Sequence, residues 1–398
     1  MSPPLQVYLD HNATTEPAAE VLVEMTDALQ RAWANPSSSH GPGQAARALV
    51  ADGRARVASF LGCSGAELVF TSGATEANHM AVLGALAAQQ QASDGRRRRL
   101  LLSAVEHPGL LGLAARLEAD GQAVDRIPVD GQGRLDLAAF ERLLGDGQDV
   151  ALVSVMGANN ETGVLMPLAE LAPRVQAAGA WLHVDATQLA GKAALRFQGS
   201  GMDLMSVSAH KLHGPKGIGA LVLRRGLQMP ALLAGRQERQ RRGGTENTPG
   251  IAGFAAACER AARKLDEDLR RMATLRDRLQ AGLAAPGGPP GIEVYGAQAE
   301  RLPNTLCLRF GQLHSDLVLG RLERAGVLAS SGAACTAAGT APSHVLLAMG
   351  ATAEAARSGI RFSLGRDTTA AHIEATLAAV QRCIAPLLAP SEHHALAA

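Results

Sequence analysis

Residues 67–76 read Glu67-Leu68-Val69-Phe70-Thr71-Ser72-Gly73-Ala74-Thr75-Glu76, and this stretch decides the fold. Leu68, Val69 and Phe70 form a short apolar run without alternation, as expected of a strand buried on both faces. Ser72-Gly73 breaks the run, and residues 74–91 follow a helical pattern with Thr75 and Glu76 near its start. Outward from here, strand-like runs lie at 99–103, 123–129, 150–156, 180–185, 204–208 and 218–223. Helical patterns at 108–119, 135–144 and 167–178 separate the earlier ones. Alternation from about residue 66 to 225 predicts an α/β layer with a mostly parallel sheet and helices on both faces.

A long helical pattern at 251–284 follows, then the break Pro286-Gly287-Gly288-Pro289-Pro290-Gly291. Strand-like 292–295 and 305–310, helix-like 315–325, strand-like 360–363 and a helix from 370 predict a smaller α+β domain. The expected division is a large domain at 15–260 and a small one built from 1–14 and 261–398, with a loose tail after Pro390. The formal net charge of +1 gives no general attraction to nucleic acid or anionic membrane. Arg96 to Arg99 read as a solvated loop. No apolar run reaches the roughly 18 residues of a membrane helix, and no signal peptide is evident at the N-terminus. Five scattered cysteines, with no C-x-x-C pair, predict reduced thiols in a cytoplasm and no zinc site.

Ligand groups in open α/β sheets gather at the carboxyl ends of strands. Ser72-Gly73-Ala74-Thr75 ends a strand and opens a helix, a turn that suits a phosphate. Glu106-His107, Asn159-Asn160-Glu161-Thr162-Gly163 and His183-Val184-Asp185-Ala186-Thr187-Gln188 end others. Asp185 follows an apolar strand with no adjacent cation, and a protonated ring nitrogen of a ligand would offset that cost. Lys211, beside the hydroxyl and imidazole donors of Ser206-Val207-Ser208-Ala209-His210, is placed for a Schiff base with a phosphorylated aldehyde. Alone, Lys211 reads as a surface lysine; together the Asp, the Lys and the phosphate-compatible turns describe a pyridoxal-phosphate pocket.

The motifs resemble those of the cysteine desulfurases of the NifS/IscS family, fold-type I pyridoxal-phosphate enzymes. The resemblance runs from Tyr8-Leu9-Asp10-His11-Asn12-Ala13-Thr14-Thr15 to Ile360-Arg361-Phe362-Ser363-Leu364. It includes Asn35-Pro36-Ser37-Ser38, Val105-Glu106-His107, His210-Lys211-Leu212-His213-Gly214-Pro215-Lys216-Gly217 and Arg242-Gly243-Gly244-Thr245-Glu246-Asn247. Leu302-Pro303-Asn304-Thr305 and Ser330-Ser331-Gly332-Ala333-Ala334-Cys335 complete it. The resemblance implies that Lys211 binds the cofactor aldehyde, Asp185 pairs with the ring nitrogen, and His107 is catalytic, stacking on the ring and shuttling a proton. It implies Gln188 on the ring hydroxyl, and Ala74 (by its backbone), Thr75, Ser208 and His210 on the phosphate. It also implies Thr245 reaching the phosphate from a neighbouring subunit, hence a homodimer. Asn160 and Arg361, with Asn12 nearby, are the implied substrate-binding residues.

Cys335 lies in a run of small residues, 330–340, that reads as a mobile loop able to carry a thiol between pocket and acceptor. Cys63, Cys258, Cys307 and Cys383 sit in apolar or helical surroundings and read as packing. The implied reaction converts L-cysteine to L-alanine and leaves sulfur as a persulfide on Cys335. A selenocysteine lyase or aminotransferase of the same fold is the alternative, and a non-catalytic sulfur-binding protein is a rival from another class. His213, Thr245-Glu246-Asn247 and Ser343-His344-Val345-Leu346 lean toward the nitrogen-fixation type, whose client is an iron–sulfur scaffold for nitrogenase. His11 and Ala333 depart from the family pattern.

Overall fold

The computed structural model describes residues 6–285, 289–332 and 341–388. Its strands are β1 (Val7–Tyr8), β2 (Leu68–Thr71), β3 (Arg99–Ser103), β4 (Val124–Ile127), β5 (Val150–Met156), β6 (Trp181–Asp185), β7 (Leu204–Ser208), β8 (Gly219–Leu223), β9 (Ile292–Val294), β10 (Thr305–Phe310), β11 (Val327–Leu328), β12 (Ser330–Ser331) and β13 (Gly359–Ser363). Seven of them form the large sheet in the order β2-β8-β7-β6-β5-β3-β4. The β3–β4, β3–β5, β5–β6 and β6–β7 pairs are parallel. β8 alone runs against its neighbours β2 and β7. Only ten residues separate β7 from β8, too few for the crossover that a parallel pair needs.

Helices α1 (Ala19–Arg31), α2 (Gly41–Leu61), α3 (Ala74–Ala92), α4 (Pro108–Ala119), α5 (Leu137–Leu144) and α6 (Leu168–Ala177) precede or alternate with these strands. β2, β5, β7 and β8 are buried at every residue, because helices cover the faces of the sheet. The pattern of short apolar runs therefore reads through to the structure nearly unchanged. Two departures have local causes. β4 stops at Ile127, and Val129 instead bridges Leu135 outside the sheet. α1 and α2 have no counterpart in the sequence reading. α2 buries mostly small residues (Gly43, Ala46, Gly53 and Ala58 among them) and so lacks a bold apolar stripe. A Cβ on Gly53 would stand 2.6 Å from Ile251 Cγ2, which is how closely α2 packs on the helix Thr248–Leu283.

That helix has 36 residues and a length of about 54 Å at 1.5 Å per residue. Its Ile251, Phe254 and Cys258 join the core of the large sheet, whereas Leu275, Leu279 and Leu283 join a second core with Leu306, Phe310, Leu322 and Phe362. The second core lies against a four-stranded sheet, β12-β13-β10-β9, antiparallel throughout. Val7 and Leu9 belong to this second core, and β1 pairs in parallel with β11. The chain then crosses the seam between the two cores at residues 10–15. Asn12 N donates to Ser363 Oγ at 2.9 Å on one side, and Thr15 Oγ1 donates to the His210 carbonyl at 2.8 Å on the other.

Ser330 and Ser331, the start of the small-residue run, are strand paired with Arg361 and Ile360. The run expected to be a loop thus begins as an edge strand. Residues 333–340, including Cys335 and Ala333, lie outside the described residues, as do 1–5, 286–288 and 389–398.

Candidate active site

The carboxyl ends of β2, β3, β5, β6 and β7 surround a cavity of about 490 Å³. It is closed on the far side by Asn12, Gly332 and Arg361. At the end of β2 the chain turns through Ser72-Gly73 straight into α3, whose N-cap Gly73 supplies no side-chain acceptor. The first N–H groups of α3 therefore face the cavity uncapped, a site for an anion. β8 brings its Gly219 against this turn. A Cβ there would stand 2.6 Å from the Val207 carbonyl and 2.7 Å from Gly73 Cα, so the approach requires glycine. Ala74, Thr75, Ser208, His210 and Lys216 line the same end. Burial, helped by Lys211, Lys216 and Lys192, pushes the His210 pKa down to about 4, so its ring is neutral at pH 7. Its Nδ1 lies 3.1 Å from Thr14 Oγ1.

Asp185, the last residue of β6, is 6% exposed. Neutral donors hold it: Asn78 Nδ2 at 2.7 Å and the Thr187 N–H at 3.0 Å. His107 caps α4, its Nδ1 accepting the Gly109 N–H at 3.1 Å. That bond places the ring proton on Nε2. Burial lowers the His107 pKa, Asp185 opposes this, and Lys211 and His344 add to it. Lys211 ends a single helical turn, Ala209–Lys211, that follows β7 directly. Its Nζ donates to the Asn12 carbonyl at 2.6 Å and the Ala13 carbonyl at 2.8 Å. The amine is thus held by the chain segment that crosses the seam.

Arg361, on β13 and 3% exposed, enters from the smaller sheet. Its Nη2 donates to Asp10 Oδ1 at 2.7 Å and its Nη1 to the Asn160 carbonyl at 2.9 Å. Its Nε is buried and has no hydrogen-bond partner among the described residues. The arginine is therefore both half of an ion pair and a cavity wall. Asn12 is fixed by four side-chain bonds: Nδ2 to Thr305 Oγ1 and the Asn160 carbonyl, Oδ1 from Asn304 and Lys192. Gln188 lines the cavity and donates from Nε2 to the Asn12 carbonyl at 3.1 Å.

Eleven of the thirteen residues singled out in the sequence thus border this one cavity: Asn12, Ala74, Thr75, His107, Asn160, Asp185, Gln188, Ser208, His210, Lys211 and Arg361. Thr245 does not border it and is exposed. Cys335 lies outside the described residues. Burial raises the thiol pKa of Cys63 to about 12 and of Cys258 and Cys307 above the usual range, and that of Cys383 also rises, so all four stay protonated at pH 7. The sequence reading gives no role to Asn78, Asp10, Lys192 or Lys216, though Asp10 and Lys216 stand inside its motifs. Asn78 follows Ala74 by four residues, one helical turn, and that spacing could have revealed it. Asp10 and Arg361 are 351 residues apart, and no local signal joins them. Among the described residues there is no cluster of His, Cys, Asp and Glu that could hold a metal ion, and no helix is long and apolar enough to cross a membrane.

An anion site at a helix N-terminus, a carboxylate held by neutral donors and a lysine amine between them fit pyridoxal phosphate, with its phosphate, its protonated ring nitrogen and its aldehyde. With the mostly parallel sheet, they define a fold-type I pyridoxal-phosphate enzyme. The chain belongs to the aminotransferase class-V family, which matches residues 7–376. It is similar to a cysteine desulfurase of Rhodobacter capsulatus, with 45% identity over 96% of this chain and 97% of that one. A relative from Azotobacter vinelandii, named cysteine desulfurase NifS, is 41% identical over 96% of this chain and 93% of its own length. Among solved structures, a NifS-like protein superposes with a TM-score of 0.86 at 34% identity, covering 95% of this chain and 99% of that one. A structure described as SspA in complex with cysteine gives 0.78 at 27% identity, covering 91% and 100%.

Proposed function

We propose that the chain is a cysteine desulfurase, converting L-cysteine to L-alanine and taking the sulfur onto Cys335. The observation that carries this reading is one cavity in which Lys211, Asp185, the uncapped end of α3 and Arg361 converge. When bound, pyridoxal phosphate would supply an electron sink for the substrate Cα. The N–H groups of Ala74 and Thr75, with Ser208 and His210, would hold its phosphate, and Asp185 would keep its ring nitrogen protonated. His107, neutral at pH 7, would stack on the ring, and Gln188 would donate to the ring oxygen. Arg361 and Asn160 orient the substrate carboxylate, the guanidinium matching its two oxygens. The Lys211 amine takes the Cα proton and later returns it. Cys335 attacks the substrate sulfur as a thiolate: the Cys335 S–S bond forms, the substrate C–S bond breaks, and its electron pair passes to carbon. Protonation of that carbon yields alanine.

Thr245 completes the phosphate site of a second copy in this reading. Its exposure supports that role, as do Leu22, Val23, Leu29 and Trp33, exposed on and just after α1. The family resemblance supports an iron–sulfur scaffold serving nitrogenase as sulfur acceptor and a cytoplasmic location, and the four free described cysteines suit that location. The test is alanine formed from L-cysteine with a thiol reductant, comparing the wild type with Cys335→Ala. Alanine from the wild type and almost none from the variant is expected. Equal alanine from both would reject the persulfide and favour a lyase that releases sulfide or selenide directly. In the same preparation, sedimentation at twice 41.2 kDa is expected, and a monomer would reject the role of Thr245.

A further inference from the structure

Lys192 lies four residues after Gln188 and is 5% exposed. It is not among the residues that line the main cavity. A buried amine is costly unless its N–H groups are satisfied. Both of its partners are amide oxygens: Gln188 Oε1 at 2.5 Å and Asn12 Oδ1 at 3.3 Å. The amine donates to both side chains, and only the oxygen end of an amide accepts such an N–H. The orientation of Gln188 follows. Its Oε1 faces Lys192, so its Nε2 is the end that reaches the Asn12 carbonyl at 3.1 Å. An amide nitrogen has two N–H groups, and the second is left for a group in the cavity.

Asn12 is oriented by the same amine. Its Oδ1 takes Lys192 and the Asn304 amide (3.0 Å), which leaves Nδ2 for Thr305 Oγ1 at 2.9 Å and the Asn160 carbonyl at 3.2 Å. The Asn12 carbonyl also receives Lys211 Nζ at 2.6 Å. Lys192 therefore grips, from behind the cavity, two side chains in direct contact with the site.

We propose that Lys192 is a positioning residue that sets the amide orientation of Gln188 and Asn12, so that Gln188 presents an N–H to an oxygen of the bound cofactor. This rests on the pyridoxal-phosphate reading and deepens it. Burial, then the nearby Lys211 and Arg361, pushes the Lys192 amine well below its usual range.

Lys192→Met keeps the volume and removes the donor, while Gln188→Ala removes the amide. These variants, their double variant and the wild type are compared by the pyridoxal-phosphate dissociation constant and the visible absorbance band of the loaded protein. Lys192→Met is expected to weaken binding about tenfold and to move the band in the same direction as Gln188→Ala. The double variant should lose clearly less than the sum of the two single losses, because Lys192 acts in part through Gln188. Wild-type binding by Lys192→Met, or losses that add in the double variant, overturn the proposal. Should Lys192→Met fail to fold, Gln188→Glu carries the test through the apoprotein. Its carboxylate still accepts from the Lys192 amine, so its Tm should exceed that of Gln188→Met, which cannot accept, and a Gln188→Met protein as stable as Gln188→Glu overturns the proposal. A wild type that binds no pyridoxal phosphate sinks the underlying reading instead, and is told apart because the reference itself fails.

Discussion

Asp185 is buried, with Asn78 Nδ2 at 2.7 Å and the Thr187 N–H at 3.0 Å as its neutral donors. Neither bond neutralises the charge, so the carboxylate remains available to a cation in the cavity. Asn78→Asp would put a second carboxylate at the same spot, where two negative charges cannot both persist. We expect it to weaken pyridoxal-phosphate binding about a hundredfold at pH 7, against about tenfold for Asn78→Ala. Absorbance titration of the apoprotein measures both. Wild-type affinity in Asn78→Asp would show that Asp185 does not act through its charge. The arginine teaches a related lesson. An isolated Arg361 invites the reading of a free substrate fork, yet Asp10 already holds one of its nitrogens.

β12 ends at Ser331, and Gly332 then packs directly against Glu161, the residue after Asn160 in the turn that follows β5. A Cβ on Gly332 would overlap Glu161 Oε2, the atom that accepts the Ser343 hydroxyl. Ser343 in turn caps the short helix His344–Ala348, and His344 Nε2 lies 2.9 Å from the Glu106 carbonyl. One buried carboxyl thus ties together the described ends on either side of residues 333–340. Gly332→Ala must displace Glu161 and is expected to cost about 1–3 kcal/mol of stability through the Ser343 bond. Alanine formation should fall at least about tenfold, since active-site geometry tolerates little misplacement. Burial raises the Glu161 pKa, so Glu161→Gln should be tolerated far better. Thermal unfolding with the alanine assay decides this, and a Gly332→Ala protein equal to wild type in both would refute the tie.

In the middle of the large sheet, a row of polar groups spans β5, β6 and β7. His183 on β6 lies 2.8 Å from Ser154 Oγ on β5 and 2.9 Å from Ser206 Oγ on β7. Burial pushes its pKa down to about 4, against the opposing pull of Asp185. Below about pH 6.5 the unfolded chain protonates this histidine while the folded chain does not until about pH 4. Its contribution is therefore fully present above pH 6.5 and is lost as pH falls to about 4. The loss for His183 is about 3 kcal/mol, from roughly 1.4 kcal/mol per pKa unit. His11 (about 3), His210 and His213 (each about 4) act with the same sign. The urea midpoint should fall between pH 6.5 and 4, and His183→Gln should flatten that fall. A midpoint that holds or rises on acidification would contradict this.

The sequence by itself determined the alternation of short apolar strands with helices, and hence the sheet edge on which Thr75, His107, Asp185 and Lys211 stand. It could do so because burial of a strand on both faces is written locally, residue after residue. It did not reveal α1 or α2, and the small residues of α2 acquire meaning only against the helix Thr248–Leu283. Tertiary structure alone decided that residues 10–15 cross the seam, that Asp10 meets Arg361, and that Lys192 reaches Asn12. Those pairings join positions 180 and 351 residues apart. They arise from the closing of two cores on one segment, and no local stretch of chain carries a record of that closure.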